Sequence, residues 1–422
     1  MKVFVISSGG KAHSLVWKLV QSQRVSEVFC TFNNAIMPKL ATVVDIRENN
    51  SEELYKFIKE NKIDLTIIDS TTTGVTGLAN KLRQEGINVF GPDKDSCKLQ
   101  LQKGFTKKFL YKHKIPTPTF AVYDKESQAL AYARTAQYPL VVKFDSRVPG
   151  LGSIVCESFN EAKNVISFCL KNFYKPVVLE NFISGKFISF QVITDGYDAV
   201  PLPVSCVCKK AEDGNAGPNT QGMGAYSPVS FVNRELESEM AQKIFFPLID
   251  ALNAEKLTFA GALKANIVID EKNNPYLIGI DVGFADPETQ TVLPLIKEDL
   301  FEVLMAASIG ALGDTYELLN TGDEHSVCVN LVSEGYPGEY KKGFVIEGLE
   351  EIDDDNTIIF HAYTGKNVYA ETVTSGGVVL SVVSTASTLN RAQELVYESV
   401  DLIKFDGMKY RKDIAKLKVP TL

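Results

Sequence analysis

The sequence predicts a three-part α/β and α+β protein, with an N-terminal doubly wound parallel-sheet domain over 1–103, a central body over 104–325 and a small C-terminal α/β domain over 326–422. Three observations predict it. Apolar runs alternate with helical spacing from Lys2 to about Phe90, adjacent strand pairs interrupted by helices follow, and the texture changes again beyond Ser326. A chain of 422 residues is also too long for one core, at roughly 100–200 residues per domain.

In the first part, Lys2 to Ile6 is an apolar run that ends in Ser7-Ser8-Gly9-Gly10, and Leu15, Val16, Leu19 and Val20 then recur at helical spacing. Strand, glycine turn and helix are followed by a strand near Val28–Phe32, a helix from Ser51 to Glu60 and a strand at Ile63–Ile68. Such alternation implies a parallel sheet covered on both faces. Gly91-Pro92 breaks the pattern and marks the edge of the unit.

The central part begins with a helix over Lys103–His113 and continues with strands at Leu140–Lys143, Ser153–Cys156, Val177–Glu180 and Phe187–Thr194. A helix covers about Asn160–Asn172, a loop Glu212–Pro228, and strands recur at Ala262–Ile269 and Pro275–Asp281. In the third part, strands fall at Ser326–Val332, Thr357–Phe360 and Gly377–Val383, followed by a helix from Leu389 to about Ile403.

Composition excludes several function classes. The net charge of −8 includes no basic run, so the electrostatic footprint of nucleic-acid binding is not expected. No apolar run approaches the roughly 20 residues of a membrane helix, and Gly9-Gly10 arrives too early for a signal peptide. A cytoplasmic protein, monomeric or a weak dimer, is expected. The 7 cysteines form no CxxC and read as small reduced residues rather than metal ligands.

Four stretches are candidates for chemistry. Ser7–Gly10 before a helix can receive an anion, since the first N–H groups of a helix point outward with partial positive charge. Lys143 precedes Asp145–Gly152, where a glycine-bearing loop between strands can cover phosphates, or simply be a hairpin turn. Gly214–Pro228 carries four glycines, which lets a ligand approach backbone donors closely. Asp286-Pro287-Glu288-Thr289-Gln290 reads first as a helix start with Asp286 as N-cap. Asp281, delivered just upstream by a strand, is a candidate Mg²⁺ or substrate contact. Of the 4 histidines, His13 alone lies at a candidate site, whereas His113, His325 and His361 fit solvated or core roles.

Taken in order, these stretches resemble the glycinamide ribonucleotide synthetase (phosphoribosylamine–glycine ligase) family, of the ATP-grasp class. Gly9-Gly10-Lys11-Ala12-His13-Ser14-Leu15 resembles the family's GGREHAL, and Gly217–Pro228 its GPNTGGMGAYSP. Asp286–Gln290 reproduces DPETQ, Gly335–Gly338 resembles GGYPG, and Arg411-Lys412-Asp413-Ile414 resembles RKDIG. The resemblance implies an ATP-grasp central domain and a ligase joining glycine to phosphoribosylamine through an acyl phosphate, with Mg²⁺ or Mn²⁺ beside ATP. By the same resemblance Lys103, Lys143, Gly150, Gly152, Glu180, Asn181 and Ile183 hold ATP. Gly9, Gly10, His13, Asn219, Thr220, Gly222, Met223, Gly224, Asp286, Pro287, Glu288, Thr289 and Gln290 line the substrate end.

The chain departs from the family pattern where charge matters most. The family's E-F-N is Gly279-Ile280-Asp281, leaving Asp281 as the metal candidate, and its glycine-loop lysine is Leu151. Its G-E-E is Gly185-Lys186-Phe187, its D-H-K-R is Val207-Cys208-Lys209-Lys210, and its G-P-E is Asp69-Ser70-Thr71. Lys186 is a candidate phosphate contact that would compensate. Two alternatives stay open beside the ligase: a silent ligand-binding or regulatory protein, and a ligase for another amine.

Overall fold

The computed structural model describes residues 1–145, 152–172, 176–315 and 322–416. Five strands, Lys2–Ile6, Glu27–Cys30, Thr42–Val43, Leu65–Ile68 and Val89–Phe90, form the first sheet. All pair in parallel, with Lys2–Ile6 central between Glu27–Cys30 and Leu65–Ile68. The strand order therefore reverses at Lys2–Ile6, and crevices at such a switch, beyond the carboxyl ends of the strands, are where ligands bind. Ser7–Gly10 and Asp69–Thr71 both leave the sheet there.

Two antiparallel four-stranded sheets make the central body. The first runs in the spatial order Phe120–Tyr123, Val177–Asn181, Leu140–Phe144, Ser153–Cys156, with helices Glu126–Thr135 and Phe159–Lys171 packed on its apolar face. The edge strand at Phe120 and the helix at Glu126 carry weak periodicity and were not expected from sequence. The second sheet runs Ala199–Pro201, Lys186–Thr194, Gly261–Ile269, Pro275–Val282. Lys143 joins the two, its Nζ donating to the Ile278 carbonyl at 2.7 Å. Helix Leu300–Ser308 returns to the N-terminal unit, with Leu300, Phe301 and Leu304 in one buried cluster with Val3, Val5 and Leu65.

The third sheet takes strands from beyond position 326 and from the central segment. His325–Ser333 and Val378–Ala386 are its long strands, Thr357–His361 lies at one edge, and Gly224–Ser227 and Cys206–Val207 extend the other. The stretch expected as a single loop over 212–228 is thus mostly ordered pairing. Lys210–Glu212 and Ala216–Asn219 form a hairpin, and Gly224–Ser227 pairs with Ser326–Val329. Its glycines fit this tight packing, since a Cβ on Gly224 would collide with the Cys328 carbonyl. Helix Leu389–Leu402 covers the sheet with Ala392, Val396 and Val400. All 7 cysteines are free and buried, and among the described residues no helix is long and apolar enough to cross a membrane.

Candidate functional site

At the end expected to hold nucleotide, the strand bearing Glu180 runs beside the strand bearing Lys143, register placing Val141 opposite Glu180. The Glu180 carboxylate is buried and receives two ammonium groups. Lys143 Nζ donates to Oε1 at 2.7 Å, and Lys107, from helix Lys103–Lys112, pairs with Oε2. Lys107 is only 2% exposed and also donates to Thr117 Oγ1 at 2.6 Å. Burial, with Lys143 alongside, lowers its pKa to about 7. Lys103 opens the same helix; its N–H donates to Asp145 Oδ1 at 2.6 Å and its Nζ to the Gln100 carbonyl at 2.8 Å.

Asn181 ends the Glu180 strand, and Ile183 packs beside it on Phe187, Val207, Ala225 and Val268. The Gly152 carbonyl accepts from the Phe144 N–H at 3.0 Å, while Gly150 and Leu151 lie outside the described residues. Lys186 does not reach this cluster: its ammonium lies over the Phe231 ring, 4.3 Å from the centroid.

In the middle of the cleft, Gly261–Ile269 is apolar except for Lys264 and Asn266, and alternation aims both to one face. Register sets Lys264 opposite Asp281 and Asn266 opposite Gly279. Lys264 Nζ lies 3.1 Å from Asp281 Oδ2 and 2.9 Å from Glu288 Oε1. Asn266 donates to the same Asp281 oxygen at 3.0 Å and accepts from Lys209 at 3.3 Å. Burial is the largest influence on Asp281 and opposes ionisation, but Lys264, Lys103, Asn266 and Lys209 outweigh it and hold the carboxyl far below its usual range. Burial brings Lys209 down to about 8.

These residues do not fit the expected divalent ion. Asp281 is engaged by an ammonium and an amide, Glu288 shares that ammonium, and the neighbouring strand position is Gly279, which has no side chain. Among the described residues no group of three or more His, Cys, Asp or Glu is placed to hold a metal.

At the end expected to hold substrate, Asp286 is not the N-cap of its own short helix, Glu288–Val292, whose cap position is Pro287. Its Oδ1 instead accepts from the Lys11 N–H at 2.9 Å and from Gln290 Nε2 at 2.5 Å. The carboxylate therefore caps helix Gly9–Leu19, which occupies the very N-terminus expected to take an anion. Gly9 has a φ of +75°, which favours glycine, and a Cβ on Gly10 would displace the Gln290 amide. Lys11 Nζ lies 2.9 Å from Asp69 Oδ2, and Asp69 also accepts from Ser7 and from the Phe284 N–H. Burial raises Asp286 to about 6, opposed by Lys11 and Gln290.

His13 follows on the same helix, accepting the His361 N–H at Nδ1 over 2.8 Å. Burial lowers its pKa to about 4 and that of His361 to about 3, so both rings are neutral near pH 7. His361, read from sequence as a core or solvated residue, thus lies at the site.

The glycine-rich stretch closes over this end. Asn219 ends the hairpin in an exposed position, and Thr220 is buried with its Oγ1 on the Lys209 carbonyl at 2.8 Å. The Gly222 carbonyl accepts from Asn330 at 2.8 Å, Pro287 packs on Gly222, and the Met223 N–H and Gly224 carbonyl both bond to Cys208. Thr289 Oγ1 turns back to the Ala285 carbonyl at 2.7 Å.

Lys107, Lys264, Asn266 and Gln191 contact or adjoin the candidate residues and were not singled out by sequence reading. The signal for the strand residues was present: polar side chains at alternate positions in otherwise apolar strands. Among the described residues, three buried side-chain atoms on or near Glu288–Val292 have no hydrogen-bond partner: Glu288 Oε2, Gln290 Oε1 and Gln191 Nε2. Orphaned buried polar atoms are rare and costly, about 1–3 kcal/mol each.

Comparison with known proteins agrees along the chain. Three models of phosphoribosylglycinamide synthetase match: the N domain at 1–100, the ATP-grasp (A) domain at 101–289 and the C domain at 326–417. A phosphoribosylamine–glycine ligase of Caldanaerobacter subterraneus subsp. tengcongensis is 36% identical over 420 residues, 98% of this chain and 99% of the relative. One from Escherichia coli is 37% identical over 425 residues, 98% of each. The crystal structure of phosphoribosylamine–glycine ligase from Thermotoga maritima superposes with a TM-score of 0.85 at 25% identity, covering 98% of this chain and 100% of that one. The biotin carboxylase domain of Hydrogenobacter thermophilus 2-oxoglutarate carboxylase shares the fold, with a TM-score of 0.71 at 16% identity over 97% of this chain and 91% of that one.

Proposed function

Because the chain belongs to the phosphoribosylglycinamide synthetase family from its N domain to its C domain, we propose that it joins glycine to 5-phosphoribosylamine at the expense of ATP, as a purine-biosynthetic carbon–nitrogen ligase. One observation carries the glycine site: the orphaned atoms Glu288 Oε2, Gln290 Oε1 and Gln191 Nε2. Two acceptors and a donor, each buried near this short helix, match in kind the ammonium and carboxylate of a small amino acid. The amide orientations are set by their other bonds, Gln191 Oε1 to the Ala285 N–H and Gln290 Nε2 to Asp286.

In this reading ATP lies along Lys103, Lys143, Gly152, Glu180, Asn181 and Ile183, and its triphosphate reaches toward Lys209 and Lys264. A glycine carboxylate oxygen attacks the γ-phosphorus, the bond to the bridging oxygen breaks and ADP leaves. The amine of phosphoribosylamine, received between Gly9, Gly10, His13 and Asp286, then attacks the acyl carbon and expels phosphate. The protein's part is alignment and charge neutralisation, which dominate phosphoryl transfer. Neutral His13, with its Nδ1 lone pair taken by the His361 N–H, can only donate through Nε2–H, so the proton the amine loses goes to the departing phosphate or to water. The same reading has the chain work alone on small molecules in the cytoplasm, as a monomer or weak dimer.

The test is ADP release with ATP, glycine and phosphoribosylamine, each omitted in turn, for wild type and Gln191→Leu. Release needing all three, with the KM for glycine raised about tenfold or more in the variant and that for ATP little changed, is the expected result. A second reading, a binding protein without turnover, is favoured by the engagement of Asp281 and Glu288 with Lys264; folded protein that binds ATP yet releases no ADP would establish it.

A further inference from the structure

The middle of the cleft holds a positive group where the family pattern leads one to expect a metal ion. Lys264 is 6% exposed, and its ammonium touches one oxygen of Asp281 at 3.1 Å and one of Glu288 at 2.9 Å. Two carboxylates converging on one point normally describe a hard-cation site. Here that point is a covalently attached cation, delivered by a strand whose register fixes Lys264 directly opposite Asp281. The substitution is two-sided. The strand position that carries the family's glutamate is Gly279, and the amide of Asn266 lies over it; a Cβ there would meet Asn266 at 3.6 Å, an ordinary contact that leaves room for a side chain.

Charge points the same way. Lys264, Lys209 and Lys103 surround Asp281, with Glu288 the second carboxylate on Lys264, so three cations meet two anions before any ligand arrives. A divalent ion would have to displace an ammonium or enter beside it, against like charge at close range. A polyphosphate meets the opposite situation. Lys264 spends two of its three donors on the carboxylates, and among the described residues none is placed against the third, which can reach a phosphate oxygen.

We propose that Lys264 is a built-in cation in place of a protein-held divalent ion, so that this chain binds a nucleoside triphosphate through lysines with no metal ligated by Asp281 or Glu288. The proposal rests on the nucleotide reading above, so its test separates the two. Manganese binding to the full-length protein is followed by electron paramagnetic resonance without nucleotide, and ATP binding is measured by calorimetry in EDTA and in excess magnesium.

Wild type is expected to hold no manganese that Asp281→Asn removes, and to bind ATP within about threefold in the two conditions, a difference under about 1 kcal/mol. The double variant Lys264→Gln with Gly279→Glu is expected to gain manganese binding and to make ATP binding metal-dependent by about tenfold or more. Wild-type manganese binding lost in folded Asp281→Asn, or wild-type ATP binding weakened about tenfold or more by EDTA, would overturn the proposal, and the EDTA reading uses wild-type protein alone. ATP bound in neither condition would overturn the nucleotide reading instead, since the manganese comparison involves no nucleotide.

Discussion

Around Glu180 two ammonium groups close on a single buried carboxylate, whereas around Asp286 a single carboxylate is held by a main-chain N–H and a side-chain amide. The nucleotide end is thus cationic and built from long side chains on strands and a helix. The substrate end is built from backbone, glycines and short polar groups, and keeps the family motif at 286–290 unchanged. The contrast teaches how the two ends differ in kind, although Asp69, on Lys11, marks a departure from the family pattern at the substrate end too. Long side chains reach their partners from several positions, but a carboxylate seated on a helix N-terminus beside Gly9 has few substitutes.

The largest expected effect is at the nucleotide end. Glu180→Gln leaves Lys107 and Lys143 buried without their counter-charge, and breaking such a buried pair costs about 3–5 kcal/mol, read as a lowered urea midpoint. Next is the substrate end, where Gly10→Ala pushes a methyl group into the Gln290 amide. Overpacking of this kind costs about 1–3 kcal/mol, and the KM for phosphoribosylamine should rise while that for ATP holds. Equal loss of both would break the separation between the two ends.

A smaller effect distinguishes them by pH. Asp286 is raised to about 6 in the folded protein, against about 4 for an unfolded aspartate. Folding therefore takes up a proton between those values. The resulting stability is fully present below about pH 4 and is lost as pH rises through about 6. Urea midpoints measured from pH 4 to 7 should show this step in wild type and not in Asp286→Asn. The smallest change is outside the cleft: the exposed pair Lys98–Asp95, 2.7 Å apart, should contribute only about 0–1 kcal/mol, so Lys98→Ala calibrates the others.

Much of this was legible in the sequence. The strand at Ser153–Cys156 and the start of the helix at Lys103 stand where the sequence reading placed them, the strand as a short apolar run after the loop and the helix through its buried Phe109 and Leu110. The hairpin and strand inside 210–227 were not legible: these short strands lack that pattern, and Gly224–Ser227 takes its pairing from a distant segment, Ser326–Val329. The same limit applies to the site. Asp286 reads locally as the cap of the helix that follows it, and only the fold shows it capping one that begins at Gly9. Lys107 and Lys264 read as an ordinary helix lysine and a misplaced strand lysine until Glu180, Asp281 and Glu288 are brought to them.

The most direct test of the central claim follows an oxygen atom. With glycine labelled in its carboxylate by a heavy oxygen isotope, an acyl phosphate transfers one carboxylate oxygen to the phosphate released when the amine attacks. Mass spectrometry of that phosphate should find the label in step with ADP formation, in wild type supplied with ATP and phosphoribosylamine. Unlabelled phosphate released alongside ADP would contradict the account, because it would mean that water, not glycine, receives the γ-phosphoryl group.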